Sequence, residues 1–339
     1  MRQFSYSRAE TVSDAVAALA SNPEAQLLAG GTNLVDLMKY NVTRPGAIVD
    51  INRLPLKEIE DLPNGGLRIG ALASNSAVAY DPRVQERYPL LSSAVLAGAS
   101  AQLRNAATTG GNILQRTRCY YFYDPSTPCN KREPGSGCGA IGGVNRIQAI
   151  LGASDKCIAV HPSDMCVALA ALDAVVEVEG PDGKRDIPFT EFHRLPGDRP
   201  ESDNTMARGE MVTAIRLEGN HFASHYTYLK LRDRLSYAFA LVSVAAAMEV
   251  SSDGAIVDLR VALGGVAHKP WRDKLAEAEF AGQPANEETF RQVARRLLAG
   301  AKGQGENDFK IPLAERSIIR ALKQAASGRP QDQSVKAIQ

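Results

Sequence analysis

Residues 115–160 restrict this chain more than any other segment. They form a long run rich in Arg, Pro, Gly, Ser and Asn that carries Cys119, Cys129 and Cys138, with Cys157 near its end. A loop this long and polar is uncommon in a compact domain unless something fastens it. Four thiolates supply a fastener by holding zinc or an iron–sulfur cluster. The gaps of 9, 8 and 18 residues between them match neither zinc-finger nor ferredoxin spacing. Both metals therefore stay open, as do disulfides in an exported protein. Arg116, Arg118, Lys131, Arg132 and Lys156 lie close in sequence; as spatial neighbours they favour deprotonated sulfur and offset the charge of a thiolate centre, and otherwise they are solvated surface. Cys166 differs from the other four. It falls within the apolar helical face Met165-Cys166-Val167-Ala168-Leu169 and reads as an ordinary core thiol.

The remainder is globular sequence. With 339 residues and 44% hydrophobic content, the chain can bury substantial cores in two or three domains. Lys and Arg total 39 against 38 Asp and Glu, so no net field draws in nucleic acid or an anionic membrane. The longest apolar run, 238–248, is interrupted by Ser243 and stopped by Glu249, short of the roughly 20 residues that a membrane helix needs. The start, Met1-Arg2-Gln3-Phe4-Ser5-Tyr6-Ser7, lacks the apolar stretch of a secretory signal. Two compartments stay open: the cytoplasm, or a bacterial periplasm reached by co-export with a signal-bearing partner.

Periodicity predicts a helix capped by Thr11 or Ser13, a strand at 26–29, a helix carrying Leu34, Leu37 and Met38, and a strand at 47–51. A second unit opens with a strand at 67–72, has helices at 90–98 and 163–172, and closes with a hairpin at 174–189 and a strand at 211–217. Composition shifts at Glu218-Gly219-Asn220. Strands at 226–231, 240–250 and 256–263 then precede helices at 287–298 and 313–325, an α+β layer. Residues 328–339 read as a frayed polar tail.

Gly30-Gly31-Thr32-Asn33 sits between a predicted strand and a predicted helix. A glycine pair there lets backbone N–H groups face an anion, and the helix start adds partial positive charge. Thr32 and Asn33 add side-chain hydrogen bonds or cap the helix themselves. A bland strand-turn-helix also uses two glycines. The second motif, Thr108-Thr109-Gly110-Gly111-Asn112, repeats the chemistry elsewhere in the chain, as a ligand with two phosphates and a long body requires, and together the two outweigh the bland account. Neither a Rossmann fingerprint nor a P-loop occurs.

Ala29-Gly30-Gly31-Thr32-Asn33-Leu34, the Thr108–Asn112 motif, His161-Pro162-Ser163-Asp164 and Leu263-Gly264-Gly265-Val266-Ala267 resemble the FAD-binding subunit of the xanthine oxidase family of molybdenum hydroxylases, over about residues 1–325. The run from Gln115 through Cys119, Pro128-Cys129-Asn130-Lys131-Arg132 and Gly135-Ser136-Gly137-Cys138 is similar, more narrowly, to the medium subunit of bacterial periplasmic-type aldehyde oxidoreductases. That resemblance implies an α+β fold: a vanillyl-alcohol-oxidase-like FAD domain at 1–220, split near residue 57, and a C-terminal flavoprotein domain at 221–327. It implies FAD contacts from Leu28, Ala29, Gly30, Gly31, Thr32, Asn33, Leu34, Thr108, Thr109, Gly110, Gly111, Asn112, Asp164 and Lys230. The glycine loops would hold the pyrophosphate, and Asp164 would accept hydrogen bonds from the adenosine end. Without a ligand, Ser163 and Asp164 merely cap a helix, and Lys230 and Arg232 are solvated strand ends.

The same resemblance implies a [4Fe-4S] cluster on Cys119, Cys129, Cys138 and Cys157, with Cys166 a non-ligand. Phe239 stands where some eukaryotic relatives place a lysine beside the flavin, so their acceptor chemistry does not transfer. Nothing in the chain resembles a molybdopterin pocket, and no catalytic residue for substrate oxidation is expected in it. The implied enzyme is a heterotrimer. A large molybdenum-cofactor subunit oxidises an aldehyde with water to a carboxylic acid, a small subunit relays electrons through two [2Fe-2S] clusters, and FAD here passes them to a small-molecule acceptor or oxygen. Tyr120, Tyr121, Phe122 and Tyr123 either face a partner or serve the local core. Rival readings are a xanthine, carbon monoxide or aromatic acyl-CoA enzyme, a self-contained flavin oxidase, and a colourless zinc scaffold.

Overall fold

The computed structural model describes residues 1–219 and 222–329. Its strands form three sheets in chain order. β1 (Ser5–Arg8), β2 (Ala25–Leu28) and β3 (Ala47–Asp50) make a parallel sheet with β3 central. The helix Val12–Ser21 packs Ala15 and Val16 inward; it is capped by Thr11, whose hydroxyl accepts from Asp14 N–H while the Asp14 carboxylate returns a bond to the Thr11 N–H. β1 escapes prediction because every residue in it is exposed, leaving no apolar alternation to read.

The second sheet is antiparallel. β4 (Ile59–Asp61), β5 (Leu67–Gly70), β6 (Val175–Gly180), β7 (Gly183–Pro188) and β8 (Met211–Leu217) lie in the order β4-β5-β8-β6-β7. Its core holds the helices Pro89–Ala97 and Asp164–Ala171. All 8 residues of the latter are buried, as befits a helix with no polar face. Cys166 is fully buried in this core.

β9 (Tyr226–Leu231), β10 (Val242–Val250) and β11 (Ile256–Gly264) form the third sheet, antiparallel with β10 central. The apolar run in β10 is explained by burial on both faces. Ala245 and Ala247 pack on the second sheet's core, whereas Val242, Val244, Ala246 and Met248 face the core under the helices Glu287–Leu297 and Lys310–Ala326. Small residues on one face and larger ones on the other let this sheet sit close against the first core. The composition shift near residue 219 lies between β8 and β9; Asn220, His221 and 330–339 of the expected tail lie outside the described residues. Among the described residues no helix is long and apolar enough to cross a membrane.

Arg272 rivets the third sheet's layer to the central helix. It donates to the Ala170 carbonyl at 2.6 Å and to Asp173 at 2.8 Å, and pairs with buried Glu277 at 2.9 Å. Arg260 and Lys274 also pair with Asp173. Removing one partner of a buried pair strands the other charge. Arg272→Ala is therefore expected to lower unfolding free energy by about 3–5 kcal/mol in denaturant titration; a loss below about 1 kcal/mol, the scale of an exposed pair, would show the rivet to be dispensable.

Candidate functional site

β2 ends at Leu28, and the chain turns through Gly30 and Gly31 into the helix Leu34–Lys39. Gly31 has φ +70, and a Cβ on Gly30 would overlap the Ala106 carbonyl oxygen, so glycine is required at both positions. Among the described residues, the amides of Gly30, Gly31, Thr32 and Asn33 donate to no protein acceptor. Four adjacent free N–H groups at a turn are able to hold an anion. Asn33 does not cap its helix by side chain. Its Oδ1 instead accepts the Arg116 N–H at 2.8 Å.

The second glycine loop is built differently. Thr109 N–H donates to Ala73, Gly110 N–H to Ala71 and Asn112 N–H to Thr108 carbonyls, while Gly111 N–H donates to Thr108 Oγ1. These amides are consumed by the fold. The loop therefore offers a ligand close approach at Gly111 rather than N–H donors. Asn112 also accepts a hydrogen bond from the Ser163 hydroxyl.

Two clefts meet at these loops. One, of about 360 Å³, is lined by Leu27, Ala29, Gly30, Leu34 and Thr108; the other, of about 500 Å³, by Asn75, Arg104, Arg118, Asp164, Lys230 and Tyr237; Thr32, Asn33 and Gly111 line both. Their joint size suits an extended ligand at the upper end of the usual range. Asn75 Oδ1 and Arg104 Nε are buried without a partner, polar atoms for which a ligand would account. Sequence reasoning missed both, because an Asn after a helix-capping Ser and a lone surface-type Arg carry no distinctive signal. Of the other named residues, Leu28 ends β2, while Thr109 and Gly110 are buried beneath the second loop.

Ser163, not Asp164, caps the helix, accepting from Cys166 N–H at 3.1 Å. Asp164 is buried, and its two oxygens accept from Tyr228 OH and from Lys230 Nζ, each at 2.7 Å. Lys230 is thus an internal counterion, not a solvated strand end. A carboxylate has about four acceptor positions, so capacity for a ligand hydroxyl remains. Arg232 donates to the Ala97 carbonyl at 3.1 Å. Arg118 stacks on Phe239, 5.3 Å from the ring centre, and burial lowers its pKa.

Cys119, Cys129, Cys138 and Cys157 line one small cavity together with Phe122, Lys131 and Lys156. All four are free thiols. The loop around them is fastened from within by side chains. Arg132 donates to the carbonyls of Tyr121, Phe122 and Thr127, and Asn130 Oδ1 takes the N–H groups of Gly135 and Gly137. Buried Lys131 donates to the Pro200 carbonyl at 2.7 Å and to Asp203, which also pairs with Arg116. Burial favours a protonated Asp203, but Arg116 and Lys131 prevail and hold its carboxyl well below the usual range. Lys156 pairs with exposed Asp198. Phe122 is core, whereas Tyr120 is exposed. Burial pushes the Cys157 thiol up to about 11 and raises that of Cys119, with Lys131 opposing the rise at Cys157.

Among the described residues, one set of three metal-type donor atoms lies within 4.8 Å of one another: those of His161, Cys166 and His193. No three loop sulfurs are that close, whereas a tetrahedral zinc with Zn–S bonds of about 2.3 Å would draw its sulfurs to about 3.8 Å. The histidine set has a simpler explanation than a metal. His161 Nδ1 accepts the Ser163 N–H, which places the ring proton on Nε2; His193 Nε2 lies 2.7 Å from the Ile113 carbonyl oxygen and must donate, leaving a lone pair on Nδ1. The two unpartnered ring atoms of this pair are His161 Nε2, a donor, and His193 Nδ1, an acceptor. Burial lowers both pKa values, that of His193 to about 4, and raises the Cys166 thiol to about 12. The group is a packed neutral pair beside a core thiol.

Residues 2–217 match the FAD binding domain in molybdopterin dehydrogenase, and residues 226–325 match the CO dehydrogenase flavoprotein C-terminal domain. The chain belongs to the FAD-binding subunits of the molybdenum hydroxylase family, which are oxidoreductase components. The aldehyde oxidoreductase FAD-binding subunit PaoB of Escherichia coli is 48% identical over 96% of this chain and 99% of that protein. The glyceraldehyde dehydrogenase medium chain of Sulfolobus acidocaldarius is 28% identical over 96% and 99%. The solved carbon monoxide dehydrogenase of Hydrogenophaga pseudoflava superposes with a TM-score of 0.76 and 26% identity, over 97% of this chain and 99% of that one.

A Cβ at Gly30 would collide with the Ala106 carbonyl and push the turn that carries the free amides out of place. Gly30→Ala is expected to weaken FAD binding tenfold or more, on the order of 1.4 kcal/mol, read as flavin retained after gel filtration; full retention would show that this loop does not hold the cofactor.

Proposed function

We propose that this chain is the FAD- and [4Fe-4S]-carrying electron-transfer subunit of a three-subunit molybdenum aldehyde oxidoreductase. The observation carrying the proposal is that four cysteines spread over 119–157 converge on one cavity, and that Cys119 lines both this cavity and the cleft containing His161, Asp164 and Phe239. A cavity walled by four cysteines suits a thiolate-bound centre. Cys119, Cys129, Cys138 and Cys157 would hold it, and buried Lys131 would offset part of its negative charge. Such a centre supplies one-electron chemistry at a potential set by its surroundings.

FAD, when bound, accepts and releases electrons; the chain's task is to bind, orient and tune it. The Gly30-Gly31-Thr32-Asn33 amides would take the pyrophosphate, with Leu28, Ala29 and Leu34 supporting that turn. Thr108, Thr109, Gly110, Gly111 and Asn112 would shape the opposite wall. Asp164, positioned by Lys230 and Tyr228, would receive a ligand hydroxyl. The FAD-binding part would span 1–220, with subdomains divided near residue 57, and the C-terminal domain 221–327 would close the cleft. Aldehyde oxidation with water would occur on a large molybdenum subunit, and its two electrons would reach this chain through a small [2Fe-2S] subunit before leaving to a small acceptor or oxygen. The 48% identity to an aldehyde oxidoreductase subunit over nearly the whole chain favours aldehydes over xanthine or carbon monoxide.

The purified wild-type chain is expected to show flavin bands over a broad visible absorption, with about four iron and four acid-labile sulfide per chain. Cys129→Ser should lose most of the iron while retaining flavin. Zinc in place of iron, or a yellow protein with flavin alone, would contradict the proposal.

A further inference from the structure

Gln148 is 1% exposed and lines the cleft that Cys119, Ser163 and Phe239 also line. Its Nε2 donates to Cys119 Sγ at 3.2 Å. Among the described residues this is the one side-chain hydrogen bond to any of the four loop sulfurs. Gln148 Oε1 is buried and has no partner. The orientation of the amide follows from the chemistry of the sulfur. A metal-bound thiolate carries no proton, so only the N–H side of the amide can face it; the reversed amide would set two acceptors against each other.

The backbone at this position is held from the C-terminal domain. The Gln148 carbonyl accepts Lys310 Nζ at 2.8 Å and Asn307 Nδ2 at 3.2 Å. Both donors are fully buried. Lys310 also donates to the carbonyls of Ile147 and Gly265, and Asn307 to that of Ala149 at 3.0 Å. These bonds hold the backbone of a wall of the cleft, since Ile147, Gln148 and Gly265 all line it. They fix the backbone from which the Gln148 side chain reaches Cys119.

We propose that Gln148 is a positioning residue that raises the reduction potential of the cysteine-bound centre through its hydrogen bond to the Cys119 sulfur. The inference rests on the iron–sulfur reading above. A donor to a ligating sulfur stabilises the more negative, reduced state of a cluster, so hydrogen bonds to sulfur shift the potential upward. Because Gln148 stands on the cleft side of Cys119, its effect falls on the edge of the centre nearest that cleft, and it ties the C-terminal domain to the redox balance between cluster and flavin.

The test is a redox titration of the intact complex followed by electron paramagnetic resonance, for wild type, Gln148→Leu and Gln148→Met. Both substitutions keep side-chain bulk and remove the donor. Both are expected to retain wild-type iron and sulfide, to shift the cluster potential downward and to leave the flavin potential unmoved. Loaded variants with an unchanged cluster potential overturn the inference. A second measurement needs no variant: in wild type labelled with 15N in glutamine side chains, pulsed resonance of the reduced cluster should show a 15N coupling, and its absence overturns the hydrogen bond. Iron-free wild-type protein would overturn the iron–sulfur reading, and this inference with it, whereas an unmoved potential in iron-loaded protein overturns this inference alone.

Discussion

The bond from the Arg116 N–H to Asn33 Oδ1 is the contact on which the site depends. Asn33 belongs to the turn with free amides, and Arg116 opens the cysteine loop, so this bond joins the two, with Tyr123 OH on Asp36 at 3.0 Å and Leu37 packed beside Phe122 holding them further. The Arg116 side chain extends the link to Asp203, which receives Lys131 from the wall of the cysteine cavity. Each member is partly or wholly buried, where a satisfied polar chain is rigid and a broken one is costly. The separation between the glycine-loop cleft and the cysteine cavity is therefore a property of the fold, not of a mobile loop.

This arrangement explains how a long polar segment exists in a compact protein. Before any metal is considered, Arg132 and Asn130 satisfy its carbonyls and amides, and Lys131 ties it to Pro200 and Asp203. The sulfurs, in contrast, sit where burial disfavours the thiolate at Cys119 and Cys157. Binding of a metal centre would release those protons, which would couple loading to pH. The side-chain scaffold thus sets the positions of the four thiols, and burial sets how readily they ionise.

Much of the fold was legible because its elements obey simple periods. β8 and β9 fall where alternation put them, and the two C-terminal helices follow their apolar stripes to within a few residues at each start. β1 was not legible, since its four side chains are all exposed and its pairing with β3 is set by tertiary context. The short helices Asn75–Tyr80 and Ala101–Ala106 were also missed, being too brief for a period to emerge. The site was legible in part. Glycine pairs announce close backbone approach, but sequence cannot tell that the amides of Gly30 to Asn33 are free while those of the second loop are spent on Ala71, Ala73 and Thr108. Cysteine spacing leaves the four thiols unassigned; their convergence on one cavity is invisible in their spacing along the chain.

The central claim is that the cysteine cavity and the nucleotide cleft are two cofactor sites held at fixed separation in one chain. Anomalous diffraction from crystals of the cofactor-loaded protein, collected on either side of the iron absorption edge, tests it most directly. The account predicts one compact iron peak bounded by Cys119, Cys129, Cys138 and Cys157, and flavin density running along the cleft past Gly30, Gly31 and Gly111. An iron-free cavity with ordered flavin, or iron bound elsewhere in the chain, would contradict it.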